Sequence, residues 1–130
     1  MLRLLTAFFL MSLATVANAQ PLAPSDWVSD YGSVLHIDFW DGSSGALWGT
    51  YTNNNPQYPH CYGTPYHMWG SSNGQAITFT VHWAGPGLED CQSTTVWTGT
   101  IRGNHIRAPW VITLDNGQVY KRGEDNFTRR

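Results

Sequence analysis

Charge is scarce in this chain. Lys, Arg, Asp and Glu make up 12% of its 130 residues, against roughly 25% in an average domain. Lys121 is the single lysine, and the formal net charge is −2. No basic stripe is available to neutralise phosphates, which argues against a nucleic-acid partner. An anionic membrane surface would find nothing to hold either. Long apolar runs are also missing. The longest, Leu4–Val16, falls short of the roughly 20 residues a spanning helix needs. With Arg3 before it and Ala17-Asn18-Ala19 after it, this run reads as an export signal cut before Gln20. The expected organisation is a signal peptide over residues 1–19 and one domain over 20–130, in a secreted or periplasmic protein.

Helical periodicity is absent, and turn formers recur too closely for a long helix. Cysteine is limited to Cys61 and Cys91, both in turn-rich segments of an exported chain. A disulfide between them is the favoured reading. A zinc site on His60, Cys61 and His67 is the alternative, although no second ligand pair at metal spacing follows. No nucleophile–base pair, metal cluster or phosphate loop points to catalysis, so the expectation is a non-enzymatic protein without a cofactor.

What the chain has in abundance is aromatics and turns: 7 Trp, 6 Tyr and 13 Gly. Short alternating runs predict strands over 27–29, 33–40, 46–53, 67–71, 77–83, 93–100, 105–113 and 119–128. The separators include Asp41-Gly42-Ser43-Ser44-Gly45, Asn73-Gly74, Arg102-Gly103-Asn104 and Asp115-Asn116-Gly117, which are hairpin connections. Eight strands joined this way predict an all-β, antiparallel up-and-down barrel, whose interior can hold one small ligand. The loop from Asn54 to Tyr66 is too long for a hairpin turn and is expected to cover something. Pro109 sits inside a predicted strand and cannot donate a ladder bond, so a bulge or a missing bond is expected there.

Side chains of equal parity share one face of a strand. Phe79, Val81 and Trp83 therefore point one way, and Ser93, Thr95 and Trp97 share a face on the next strand. Two hydroxyls and an indole on one face suit a pocket wall better than a core, since a buried unpaired hydroxyl costs about 1–3 kcal/mol. The same parity collects Ser29, Tyr31 and Ser33; Leu47, Gly49, Tyr51 and Asn53; Ala108, Trp110 and Ile112; and Asp125 with Phe127. The result is an aromatic box of Trp83, Trp97 and Trp110 with hydroxyls, an amide and one carboxylate at its far end. Trp27 and Phe127 are expected in the core, and His36 and His82 on the surface.

Six motifs in order carry a resemblance: Trp27-Val28-Ser29-Asp30-Tyr31-Gly32-Ser33, Gly49-Thr50-Tyr51, Thr80-Val81-His82-Trp83, Ser93-Thr94-Thr95-Val96-Trp97-Thr98-Gly99, Trp110, and Gly123-Glu124-Asp125-Asn126-Phe127-Thr128. Over almost the whole domain the chain resembles the avidin and streptavidin family of biotin-binding barrels. The resemblance implies that Ser33 and Tyr51 donate to the ureido oxygen of biotin, and that Asp125 and Asn53 each accept from a ureido N–H. It implies further that Thr95 reaches the ring sulfur, that Trp83, Trp97 and Trp110 pack around the bicycle and tail, and that Ser93 meets the tail carboxylate. The loop from Asn54 to Tyr66 closes the entrance in that picture.

Three departures from the family pattern stand out. Ser29 replaces an Asn that normally donates to the ureido oxygen, and a lost bond there costs about 1–3 kcal/mol. Tyr31 is bulkier than the usual residue and either crowds the pocket or adds a donor. No Trp follows Trp110, although in tetrameric members such a Trp reaches into the neighbour's site. Cys61 and Cys91 resemble instead the dimeric, rhizavidin-like branch, where a disulfide tethers the entrance loop. A homodimer or higher homo-oligomer is the implied assembly, with Trp48, outward by parity, as a candidate contact. A carbohydrate-binding module is the competing reading, and it needs aromatics on an exposed face.

Overall fold

A computed structural model describes residues 21–59, 61–85 and 91–130. The expected signal peptide and its cut site lie outside these residues, as does His60 of the alternative zinc set. Eight strands follow in order: β1 (Ser25–Ser29), β2 (Val34–Trp40), β3 (Ala46–Thr52), β4 (Pro65–Ser72), β5 (Ala76–Ala84), β6 (Gln92–Arg102), β7 (His105–Leu114) and β8 (Val119–Arg129). Each pairs antiparallel with the next, and β8 returns to β1 through Trp27↔Arg129, Val28↔Thr128 and Ser29↔Phe127, closing the barrel. Closure leaves no free edge that could template aggregation.

Alternation in the sequence becomes alternation in burial. Phe79 and Val81 are fully buried on β5 while Thr78, Thr80 and His82 face outward. Trp27, Leu35, Ile37, Leu47, Met68, Ile77, Ile106 and Phe127 complete the core, each contributing about 1.5–3 kcal/mol by burial. Beside one register shift, only glycine fits. A Cβ on Gly49 would lie 1.9 Å from the His36 carbonyl oxygen, beside the register shift between Ile37 and Phe39. The expected surface histidines do lie outside: His82 approaches Asp115 at 3.3 Å. His36 sits between Asp26 and Asp38, and its pKa is raised chiefly by the hydrogen bond to Asp26.

One local feature was not read correctly from the sequence. The first strand begins at Ser25 rather than Trp27, because the preceding segment folds over the end of the barrel remote from the long loop. Leu22 is buried there, Ser25 Oγ donates to its carbonyl, and Trp27 Nε1 donates to Ser25 Oγ at 2.9 Å. The Arg129 guanidinium lies over Trp27 and donates to the Pro21 carbonyl at 2.7 Å. Pro109 brings the missing ladder bond expected of it rather than a bulge. It pairs with Glu124 on β8 and falls in the interval of the β6–β7 ladder between Trp97↔Trp110 and Thr100↔Arg107. The bulge of this strand pair lies further along and on β8, where Tyr120 is the extra residue between Lys121, opposite Ile112, and Val119, opposite Thr113.

Candidate functional site

The end of the barrel nearest the long loop holds a cavity lined by Ser33, Tyr51, Asn53, Asn55, Tyr58, Trp83, Thr95, Trp97, Trp110, Ile112 and Asp125. Its floor is aromatic: Trp97 stacks on Phe79 at 4.7 Å between ring centres, and Tyr51 leans on Trp97 at 4.6 Å. Trp83 donates from Nε1 to Thr95 Oγ1 at 2.8 Å, which fixes the indole and the hydroxyl together. Trp110 leans across β8 at Gly123, where a Cβ would come within 2.2 Å of its ring. The tryptophans expected inside are therefore inside, and they offer no exposed platform for stacking on sugars.

Asp125 is the one carboxylate on this wall. Burial raises its pKa, and Asp30 adds to the rise; hydrogen bonds from the indoles of Trp97 and Trp110 oppose it. The Trp97 bond, from Nε1 to Oδ2, is 2.8 Å. Tyr51 is fully buried within the same wall. Burial pushes its pKa far upward, the Asp125 charge adds to the shift, and a bond with Ser33 offsets part of it. Tyr51 therefore stays a hydroxyl donor at any ordinary pH. Buried donors and a buried acceptor face one small space, an arrangement suited to a compact neutral head that carries both a carbonyl and N–H groups.

The loop after β3 is held down at several points. Asn53 Nδ2 donates to the Tyr58 carbonyl at 2.7 Å, and Asn53 Oδ1 accepts from the Asn55 N–H at 3.0 Å. Asn54 N–H donates to Ser33 Oγ at 3.0 Å. Tyr58 meets Trp110 edge-on at 6.0 Å. Further along, Cys61 and Cys91 form a disulfide with Cα atoms 5.6 Å apart, as expected, so neither thiolate is available to zinc. The Tyr66 hydroxyl donates to Cys61 Sγ at 3.1 Å, and its ring packs edge-on against Trp83 at 4.9 Å. The tether thus reaches the cavity wall through one tyrosine.

Eight of the eleven expected ligand-binding residues line the cavity: Ser33, Tyr51, Asn53, Trp83, Thr95, Trp97, Trp110 and Asp125. Tyr31 does not. It lies in the turn closed by Ser29 N–H to the Ser33 carbonyl and is 47% exposed, because strand parity does not carry across a turn. Ser29 and Ser93 are buried but stand behind the wall; Ser29 Oγ accepts from the Ser33 N–H at 3.0 Å and so positions that residue. The site also contains Asn55, Tyr58 and Ile112, which sequence reasoning left out of it. Ile112 lay on a predicted inward face, and the other two belong to the covering loop, where no periodicity says which side chain points down.

The enclosed space is only about 60 Å³, below the 300–1,000 Å³ of most ligand clefts, because Tyr58 and Asn55 come down into it. A larger cleft of about 480 Å³ lies at the opposite end, around Leu22, Trp27, Trp40 and Ile101, but it carries no carboxylate. Chemistry, not volume, marks the first cavity as the site.

Known proteins share this architecture. The sequence profile of the Avidin family matches residues 18–130. Afifavidin from Afifella pfennigii is 39% identical over 115 residues, 83% of this chain and 69% of afifavidin. Among solved structures, apo shwanavidin superposes with a TM-score of 0.73 at 31% identity, covering 85% of this chain and 97% of that one. The rhizavidin–biotin complex gives a TM-score of 0.70 at 33% identity, with 83% and 92% covered. A profile that spans the whole barrel and a relative this similar agree with the strand order, and on those grounds the chain belongs to the avidin family.

Proposed function

We propose that this protein binds biotin non-covalently in the cavity around Asp125 and does no chemistry on it. The observation that carries the reading is the pairing of one buried carboxylate with two buried hydroxyls across a single aromatic-floored space. A ureido group needs an acceptor for its N–H and donors for its oxygen. Asp125 supplies the first, and Ser33 and Tyr51 supply the second. Convergent donors stabilise a polarised oxygen as an oxyanion hole does. Trp83, Trp97 and Trp110 then take the apolar bicycle, with Thr95 beside its sulfur. Asn53 acts mainly through the loop, since its carbonyl oxygen already accepts from Asn55.

Titration of the protein with biotin, read by tryptophan fluorescence, tests this directly. A saturable change at or below low micromolar ligand is expected, because three indoles line the site. A flat signal up to about 1 mM ligand, the range of very weak binding, would end the reading.

The protein fits an exported homodimer under the same reading. Phe39 stacks on Trp48 at 4.0 Å, and Trp48 is the cross-strand partner of Trp69. These three are 40%, 44% and 43% exposed, a contiguous aromatic row on the outer face of the barrel. Exposed patches of this kind mark association surfaces. Sedimentation velocity at about 10 µM is expected to show a dimer, and Trp48→Glu with Trp69→Glu to give a monomer. A wild-type monomer at that concentration overturns the assignment.

A further inference from the structure

The rim of the cavity carries one charge, the Lys121 ammonium, which hydrogen-bonds the side chain of the wall residue Tyr58. Lys121 lies on β8 with the same parity as Gly123 and Asp125, and it is the cross-strand partner of Ile112, a wall residue. A strand advances about 3.3 Å per residue, so Lys121 stands roughly 13 Å along β8 from Asp125, toward the mouth. Its ammonium is 4.9 Å from the centre of the Tyr58 ring. Tyr58 in turn rests edge-on against Trp110, which fills the space left by Gly123. Four residues thus stack from wall to rim, and a cation sits at the top.

Among the described residues Lys121 has no carboxylate partner: Asp115 is engaged by His82 and Glu124 by Arg107. Arg122, its neighbour on β8, has the opposite parity, and Asp30 acts on Asp125 instead. Ser93, the residue that the family resemblance assigned to the tail carboxylate, is fully buried behind the wall.

We propose that Lys121 is a specificity-determining residue: with the polar head of a ligand at Asp125, its ammonium meets the far end of the tail and selects a carboxylate over the neutral amide. The proposal rests on the biotin reading above. A tail that leaves the floor and passes Trp110 emerges beside Tyr58, where the aromatic face and the ammonium form one amphipathic edge. Partial exposure keeps the pair weak, so the preference is about fivefold rather than thousandfold. It is also open to screening, because the Debye length falls well below 10 Å as salt rises.

The test compares affinities for biotin and for biotinamide, in which the tail acid is a primary amide, in wild type, Lys121→Gln and Lys121→Arg. A preference for the acid of about fivefold is expected in wild type at about 20 mM salt, shrinking at about 500 mM. Lys121→Gln should bring the ratio close to one, and Lys121→Arg should keep it. Equal affinities in wild type, or a preference that survives Lys121→Gln, overturns the proposal. Failure to bind either compound is a different result, and it overturns the biotin reading itself.

Discussion

Asp125→Ala weakens biotin binding by about 100-fold while the barrel stays folded. A hydrogen bond to a charged group is worth about 1.5–3 kcal/mol, and each 1.4 kcal/mol is tenfold in affinity. The substitution also strips the Trp97 indole of its 2.8 Å acceptor, so the floor loses a fixed ring as well as a charge. Isothermal titration of the variant checks the magnitude; unchanged affinity would place the ligand's head elsewhere. The pH response carries a second signature. Burial raises the folded pKa of Asp125 above its ordinary value, so ionising this carboxyl costs more in the folded free protein than in the unfolded chain. Its contribution to stability is present below the unfolded pKa, near 3.9, and is lost as pH rises through the elevated folded value. A ligand N–H needs the ionised oxygen, so affinity climbs over the same window. Ligand binding and free-protein stability therefore run in opposite directions with pH, and Asp125→Asn should remove that contrast. If Asp125→Asn keeps the full acid loss of affinity, another group is titrating.

Replacing both cysteines by alanine has the largest expected effect on stability. The bridge closes the chain between Cys61 and Cys91, a separation of 30 residues. Chain-entropy bookkeeping puts a loop of that length at about 3–4 kcal/mol. For a domain of this size the melting temperature should fall by on the order of 15–20 °C. Thermal unfolding followed by circular dichroism reads it, and a shift under about 3 °C would mean that the loop is held by other contacts. Biotin should also dissociate faster, because an untethered loop must be ordered when the ligand binds. Tyr66 carries this effect to the wall, between the sulfur of Cys61 and the ring of Trp83.

The barrel was legible because most of its inward residues sit on long alternating strands. On β5 and β6, Phe79, Val81, Trp83, Ser93, Thr95 and Trp97 are all buried, as the two-residue period requires. The period is silent about depth. Ser93 and Thr95 have equal parity, yet only Thr95 reaches the cavity, since the neighbouring Trp83 ring bonds to it. Turns defeat the period altogether: Tyr31 lies two residues from Ser29 and points to solvent. Asn55 and Tyr58 were invisible for a related reason, because their positions come from bonds to Asn53 and not from any repeat. The plug at the base was hidden too. It depends on a chain of single bonds through Leu22, Ser25 and Trp27 that no pattern in the sequence announces.

Antiparallel closure of β1 on β8 has a practical corollary for anyone building with this scaffold. Ser25 and Arg129 both lie at the plugged pole, and the Arg130 N–H still donates to the Asp26 carbonyl at 2.9 Å. Cargo appended beyond β8, or a surface linkage made there, hangs from the pole opposite Tyr58 and leaves the doorway facing open solution. Immobilised copies should thus present their sites outward without engineered orientation.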